Sequence, residues 1–126
     1  MAAPPKLVLV ADDDPQVGLL VRKVLTQDGY AVDVYPDGGS ALEAAERGGY
    51  ALLVLDVLMP HKTGIEIVQE LRGKADPVPV VLISSFSGEE VAAAIQGMSQ
   101  VAFLQKPFTL ADLRQAVAKV LGRVPC

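Results

Sequence analysis

The sequence has no tryptophan, one cysteine and one histidine in 126 residues, and aromatics make up only 5%. The single cysteine, Cys126, cannot close an internal disulfide, and with His61 it is too little to build a zinc site. A reducing compartment suits such sparing cysteine use. Long apolar runs are also missing. Stretches such as 51–55 fall far short of the roughly 18–20 residues that span a bilayer. Met1-Ala2-Ala3-Pro4-Pro5-Lys6 lacks the charged region, apolar stretch and cleavage site of an export signal, so a cytoplasmic protein with no membrane segment is expected. Basic charge is in deficit: 11 Lys plus Arg against 15 Asp plus Glu leave a net charge of −4, which argues against direct binding to nucleic acid or anionic lipid. No repeat, low-complexity tract or linker divides the chain, and a 51% hydrophobic, 21% charged composition supplies a full core. One domain over 1–126 is expected, with its core over about 6–121.

What is present is an alternation of short apolar runs with longer amphipathic segments. Leu7-Val8-Leu9-Val10-Ala11 reads as a strand, and Val17, Leu20, Val21, Val24 and Leu25 then share one helical face. Asp14 suits the cap of that helix, Pro15 its first turn and Gly29 a left-handed end. A strand over Ala31–Tyr35 and a helix over about 39–47 follow. The nearly unbroken apolar run 51–56 is that of a strand covered on both faces. Thr63-Gly64-Ile65-Glu66 is a capping box opening a helix to about Arg72, and 79–84 is a further buried strand. A helix from Gly88 to about Gly97, a fifth strand over Val101–Gln105 and a final helix capped by Thr109 and Asp112 complete the series. This pattern predicts an α/β fold, a doubly wound five-stranded parallel sheet with helices on both faces. Such sheets bind ligands outside the carboxyl ends of their strands.

Those ends carry the chemistry. Asp12, Asp13 and Asp14 follow the first strand, Asp56 closes the third, Ser84 and Ser85 the fourth, and Lys106 with Pro107 the fifth. Two carboxylates about 4 Å apart repel by roughly 4 kcal/mol at an effective dielectric near 20, so gathering Asp12, Asp13 and Asp56 favours a divalent cation. An all-oxygen set with room for water and a phosphate oxygen is the preference of Mg²⁺. Beside that ion Asp56 is either a third ligand or a carboxylate nucleophile toward a phosphoryl group. Lys106 decides between these roles, because an ammonium across the pocket from a metal suits a second phosphoryl oxygen while the Ser84 hydroxyl donates to a third.

Taken in order and spacing, LVLVADDDP (7–15), LVLDVLMP (53–60) with Gly64, PVVLISS (79–85) and FLQKPF (103–108) resemble the motifs of a response-regulator receiver (REC) domain, the phosphoacceptor half of two-component signalling. The resemblance covers roughly residues 6–121. It implies a flavodoxin-like (βα)5 fold with strand order 2-1-3-4-5, and Mg²⁺-dependent transfer of a phosphoryl group to Asp56 from a histidine kinase or a histidine phosphotransfer protein. It further implies that Asp13 is the more direct metal ligand, that Asp12 acts partly through water, and that Asp56 and the backbone carbonyl of Leu58 complete the protein ligands. By the same resemblance Ser84 is the switch hydroxyl, Lys106 the phosphate-binding lysine before a cis Pro107, and Phe103 the switch aromatic. Such a protein is no enzyme beyond its own phosphorylation and slow autodephosphorylation. The new charge of about −1.5 to −2 would draw the Ser84 hydroxyl, move the loop after the fourth strand and let Phe103 rotate. The face formed by the fourth helix, fifth strand and fifth helix (α4-β5-α5) would then bind a downstream protein target or form a homodimer. The fourth helix, with Val91, Ala92, Ala93, Ala94, Ile95 and Met98, is apolar enough to carry that contact.

Two other classes were weighed against this reading. An aspartate-nucleophile phosphohydrolase would carry a second Asp where Leu58 stands, and a receiver-like binding module acting without phosphorylation would not require the intact set Asp13, Asp56, Ser84 and Lys106. Few residues follow Leu121, so a stand-alone receiver, a phosphate relay or a receiver excised from a hybrid kinase or longer regulator is expected. Asp14 is read as a helix cap, His61 as a solvated loop residue and Cys126 as an inert tail. Ser99-Gln100 stands where relatives often have Gly-Ala. Leu58 and Phe86, two residues beyond Asp56 and Ser84, are apolar where many relatives carry a polar group that orients the hydrolytic water. The aspartyl phosphate is therefore expected to outlast seconds in the purified protein, as followed by loss of the phosphoryl mass with time; decay within seconds would contradict this.

Overall fold

Alternating apolar runs and capped amphipathic segments produce ten elements in the computed structural model, which describes residues 6–85 and 88–122. In chain order they are β1 (Leu7–Ala11), α1 (Pro15–Gln27), β2 (Ala31–Tyr35), α2 (Gly38–Arg47), β3 (Leu52–Asp56), α3 (Gly64–Gly73), β4 (Val80–Ser84), α4 (Gly88–Ala94), β5 (Val101–Gln105) and α5 (Leu110–Leu121). All four strand pairings are parallel, and the order is β2-β1-β3-β4-β5, as the receiver resemblance implies. Phe86 and Cys126 lie outside the described residues, as do 1–5 of the N-terminal segment. Among the described residues no helix is long and apolar enough to cross a membrane.

Side chains alternate across each strand and so feed two cores. Val8, Val10, Val54 and Ile83 point to one, where Val21 and Leu25 of α1 meet Leu113 of α5. Leu9, Leu53, Leu55 and Leu82 point to the other, beneath α2, Ile67 and Leu71 of α3, and Val91 of α4. Every residue of β3 and β4 is buried, which accounts for the continuous apolar character of those runs.

The helix starts follow their cap residues. Asp14 Oδ1 accepts from Gln16 N at 3.0 Å, and Asp37 Oδ1 accepts from Ser40 N at 2.8 Å. Thr63 with Glu66 and Thr109 with Asp112 form reciprocal capping boxes. Gly29, with φ +96°, follows the end of α1 as expected. The cap at Asp37 starts α2 one residue earlier than its apolar face suggests. The fourth helix differs more: α4 ends at Ala94, and the chain turns through Ile95 to Gly97, with Met98 N donating to Ile95 O at 3.0 Å and Gly97 at φ +84°. A left-handed glycine cannot continue a right-handed helix, so the apolar pattern outruns the helical backbone. Beyond it, Gln100 adopts φ +57° and its carbonyl accepts from Val80 N at 3.0 Å, so the Ser99-Gln100 pair leads β5 directly alongside β4. Arg72 reinforces that junction, donating to the carbonyls of Asp76, Val78 and Ser99 at 2.8, 2.9 and 2.9 Å.

One close approach sets the position of the third strand's end. Gly64 N donates to Val57 O at 3.0 Å, and a Cβ on Gly64 would lie 2.5 Å from the Asp56 carbonyl oxygen. Gly64 therefore lets α3 begin directly against the backbone of Asp56. Gly64→Ala is expected to destabilise the fold by about 1–3 kcal/mol through overpacking against backbone. Gly73→Ala, where a Cβ meets nothing within 4 Å, is expected to be neutral or to stabilise by up to about 1 kcal/mol. Urea unfolding of the two variants beside the unaltered chain checks both.

Candidate functional site

The strand ladders continue past the strand ends and deliver side chains to one edge. Val57 N donates to Ile83 O at 2.8 Å, holding the residue after Asp56 to β4, and Lys106 N donates to Ser84 O at 2.8 Å, holding Lys106 to the end of β4. Asp12 N reaches Tyr35 O at 3.3 Å in the same way. Residues separated by up to 94 positions, from Asp12 to Lys106, are thereby set side by side with little freedom of backbone.

Asp12, Asp56 and Ser84 are buried at 4%, 6% and 2% exposure, whereas Asp13 faces solvent. One carboxylate oxygen from each of Asp12, Asp13 and Asp56 lies within 4.8 Å of the others. Lys106 Nζ bridges the two buried carboxylates, donating to Asp56 Oδ2 at 3.0 Å and standing 3.2 Å from Asp12 Oδ2. The second oxygen of each carboxylate meets a backbone amide: Asp14 N donates to Asp12 Oδ1 at 2.8 Å, and Leu58 N to Asp56 Oδ1 at 3.2 Å. Asp12 Oδ2 is left without an aligned hydrogen bond and faces the charge of Lys106 alone among the described partners. Burial pushes the Asp12 carboxyl up to about 6; the Asp14 amide opposes that rise, the charge of Asp56 adds to it, and Lys106 opposes it. Burial works against the Lys106 ammonium, but its hydrogen bond to Asp56 and the charges of Asp12 and Asp56 outweigh this and hold its pKa above the usual value.

This donor set fits Mg²⁺. The cluster is all oxygen, carries three carboxylates against one ammonium, and includes a buried oxygen, Asp12 Oδ2, whose one close cation, Lys106, is shared with Asp56. The exposed side at Asp13 leaves room for the waters that Mg²⁺ retains.

Asp12, Asp13, Asp56 and Lys106 thus converge as their sequence positions predict, with Ser84 buried at the end of the strand beside them. The Lys106–Pro107 peptide is cis. Phe103 is elsewhere: it is half-buried in the core beneath α2, α3 and α4, and a Cβ on Gly88 would be 3.4 Å from its ring. Its ring therefore packs at the start of α4 and not in the acidic pocket. The Leu58 side chain is 52% exposed while its amide serves Asp56, so this residue acts through its backbone. His61 is an exposed loop residue at φ +73°. Two features had no signal in residue type: the Leu58 amide on Asp56, and the seating of the loop after β3 on the N-terminus of α2.

Residues 8–118 match the response regulator receiver domain, and the chain belongs to that family, the receivers of two-component systems. It is 30% identical over 117 residues to the transcriptional regulatory protein RprY of Bacteroides fragilis, covering 93% of this chain and 50% of that protein. The receiver domain of the Francisella response regulator 1452 has a TM-score of 0.83 at 29% identity, with 93% of this chain and 97% of that one covered. The response regulator TrrA of Thermotoga maritima, in complex with Mg²⁺ and BeF, has a TM-score of 0.80 at 29% identity, covering 91% and 98%. The chain spans about half the length of the curated relatives it matches.

The raised Asp12 carboxyl has a defined signature. The folded state holds its proton up to about pH 6, whereas the ordinary value is 3.8, so ionised Asp12 costs stability that is absent below pH 4, grows between 4 and 6 and is complete above 6. Asp12→Asn is expected to stabilise the metal-free protein by about 1–3 kcal/mol at pH 7.5 and to have little effect near pH 4. Urea unfolding with a chelator at the two pH values checks this, and equal effects at both would contradict it.

Proposed function

We propose that the chain is a phosphoacceptor in which Asp56 takes a phosphoryl group from a phosphohistidine of a histidine kinase or histidine phosphotransfer protein. The observation that carries this reading is the bridge from Lys106 to Asp56 and Asp12, set beside three clustered carboxylates, one of which has a buried oxygen lacking an aligned donor. A carboxylate oxygen of Asp56 attacks phosphorus, the N–P bond of the donor breaks, and the departing imidazole keeps the electron pair and takes up a proton from solvent. Lys106 exchanges part of its contact with Asp56 Oδ2 for a phosphoryl oxygen, so its charge stays paired throughout. Leu58 N steadies the carboxylate through Oδ1, and the Ser84 hydroxyl donates to a phosphoryl oxygen. The carboxylates of Asp12, Asp13 and Asp56 and the backbone carbonyl of Leu58 would hold Mg²⁺, which supplies neutralisation of the charge on the transferring oxygens.

On this reading the domain promotes only its own phosphorylation and its slow reversal, and its product is an altered surface. Phe103 supports a route for that change, because it lies on β5 with its ring facing Gly88 at the start of α4, where an added Cβ would stand 3.4 Å from it, and both elements belong to the α4-β5-α5 face. A rotation of the ring alters that face, through which the domain engages a downstream protein or a second copy of itself. A net charge of −4 supports protein rather than direct nucleic-acid contact by this domain, in the cytoplasm; transcriptional relatives such as RprY have a further half outside the match.

Intact mass after incubation with Mg²⁺ and a small-molecule phosphodonor tests the proposal. One added phosphoryl group is expected, abolished by Asp56→Asn and by chelation of Mg²⁺. Folded, Mg²⁺-loaded protein that gains no mass from either a small donor or a phosphohistidine protein would overturn it in favour of a module that binds without phosphorylation.

A further inference from the structure

The loop that follows the acceptor, residues 57–63, is fastened to three elements. Val57 N bonds to Ile83 O on β4, Gly64 N at the start of α3 bonds back to Val57 O, and Gly38 N at the start of α2 donates to Pro60 O at 3.1 Å. The start of α2 leaves the least room for a side chain. A Cβ on Gly38 would fall inside the carbonyl oxygen of Lys62, 2.6 Å from its carbonyl carbon and 2.7 Å from its Cβ. Backbone therefore touches backbone, and no side chain can give way. Next to it a Cβ on Gly39 would stand 3.4 Å from His61 Cβ and 3.3 Å from Asp37 Oδ1, a closer but tolerable fit. Asp37 caps this same helix start, so the surface on which the loop rests is itself held in shape. Leu58, whose amide binds Asp56 Oδ1, lies near the start of this loop, between the Val57 and Pro60 anchor points.

We infer that Gly38 is a positioning residue for the acceptor loop, and that α2 begins with glycine so that the backbone of Leu58 is held at the Mg²⁺ and phosphoryl pocket. The inference rests on the metal-dependent reading above. Gly38 contacts neither metal nor phosphate; it acts through Pro60 and Lys62 on Leu58. Replacing it with alanine pushes the Lys62 carbonyl outward and loosens the loop, while Asp12, Asp13, Asp56 and Lys106 keep their own anchors on β1, β3 and β5.

Calorimetric titration with Mg²⁺ tests this on the unaltered chain, on Gly38→Ala and on Gly39→Ala, with Val24→Ala as a control for lost stability. Val24 is buried on α1 in the other core, which includes none of residues 57–63, so its truncation lowers the melting temperature away from the loop. Gly38→Ala is expected to weaken Mg²⁺ binding by roughly 10-fold, in the range seen when groups supporting metal ligands are removed. Gly39→Ala is expected to weaken it less, and Val24→Ala to leave it unchanged. The phosphorylation rate of Gly38→Ala should recover at saturating Mg²⁺, which a loss of folded protein would not produce. Unchanged Mg²⁺ affinity in folded Gly38→Ala overturns the inference. If that variant fails to fold, Gly39→Ala decides it, and unchanged affinity there overturns it. No Mg²⁺ binding by the unaltered chain overturns the metal-dependent reading and the inference with it.

Discussion

The arrangement depends on two buried carboxylates sharing one ammonium. Asp12 and Asp56 are almost fully removed from solvent, and Lys106 Nζ lies within 3.2 Å of both. Burial of this kind is unfavourable unless charge is matched, and one lysine cannot match two buried carboxylates and an exposed third. The residual imbalance is written into Asp12, whose carboxyl is pushed up to about 6 and whose Oδ2 has no aligned donor. Local stability has been traded for negative potential at a point where a cation and a transferring phosphoryl group would both be received. The exposed position of Asp13 keeps that point open on one side.

The scaffold can sustain this because the edge is rigid. Hydrogen-bond ladders run one residue beyond β1, β3 and β5, so Asp12, Val57 and Lys106 are placed by backbone and not by side-chain packing. Two helices then abut the same region through glycine. Gly64 lets α3 start against the Asp56 carbonyl, and Gly38 lets α2 start against Lys62. Both contacts replace a side chain with close backbone packing, which is stiff, so Asp56 and the loop after it are held by both helices. The opposite rim is less tightly defined: α4 spans seven residues and turns away at Gly97, with Phe103 lodged at its first residue. On the proposed reading, a stiff Asp56 side and a short helix on the far rim suit a site whose chemistry stays fixed while a neighbouring face rearranges.

Much of this is legible in the sequence. The alternation of short apolar runs with segments of helical period located all ten elements, and caps such as Asp14, Thr63 and Thr109 mark helix starts closely because a cap satisfies specific backbone amides. The end of α4 is not legible in this way, since Ile95 and Met98 keep the apolar pattern while Gly97 has left helical geometry; burial pattern reports which face is inside, not the backbone angle. Asp12, Asp13, Asp56 and Lys106 are recognisable because each lies at or just beyond a strand end and parallel topology sends all strand ends to one edge.

Residue order alone therefore determined the elements, the parallel sheet and the identity of the acidic and basic groups, because these follow from local periodicity, capping and strand direction. Tertiary structure decided how the charges are shared: which carboxylate lacks a donor, that Leu58 serves Asp56 through its amide, that Phe103 lies against α4 and outside the pocket, and that Gly38 meets Lys62. These are distances between groups far apart in the chain, and they exist only once the ladders and helix packing have brought those groups together.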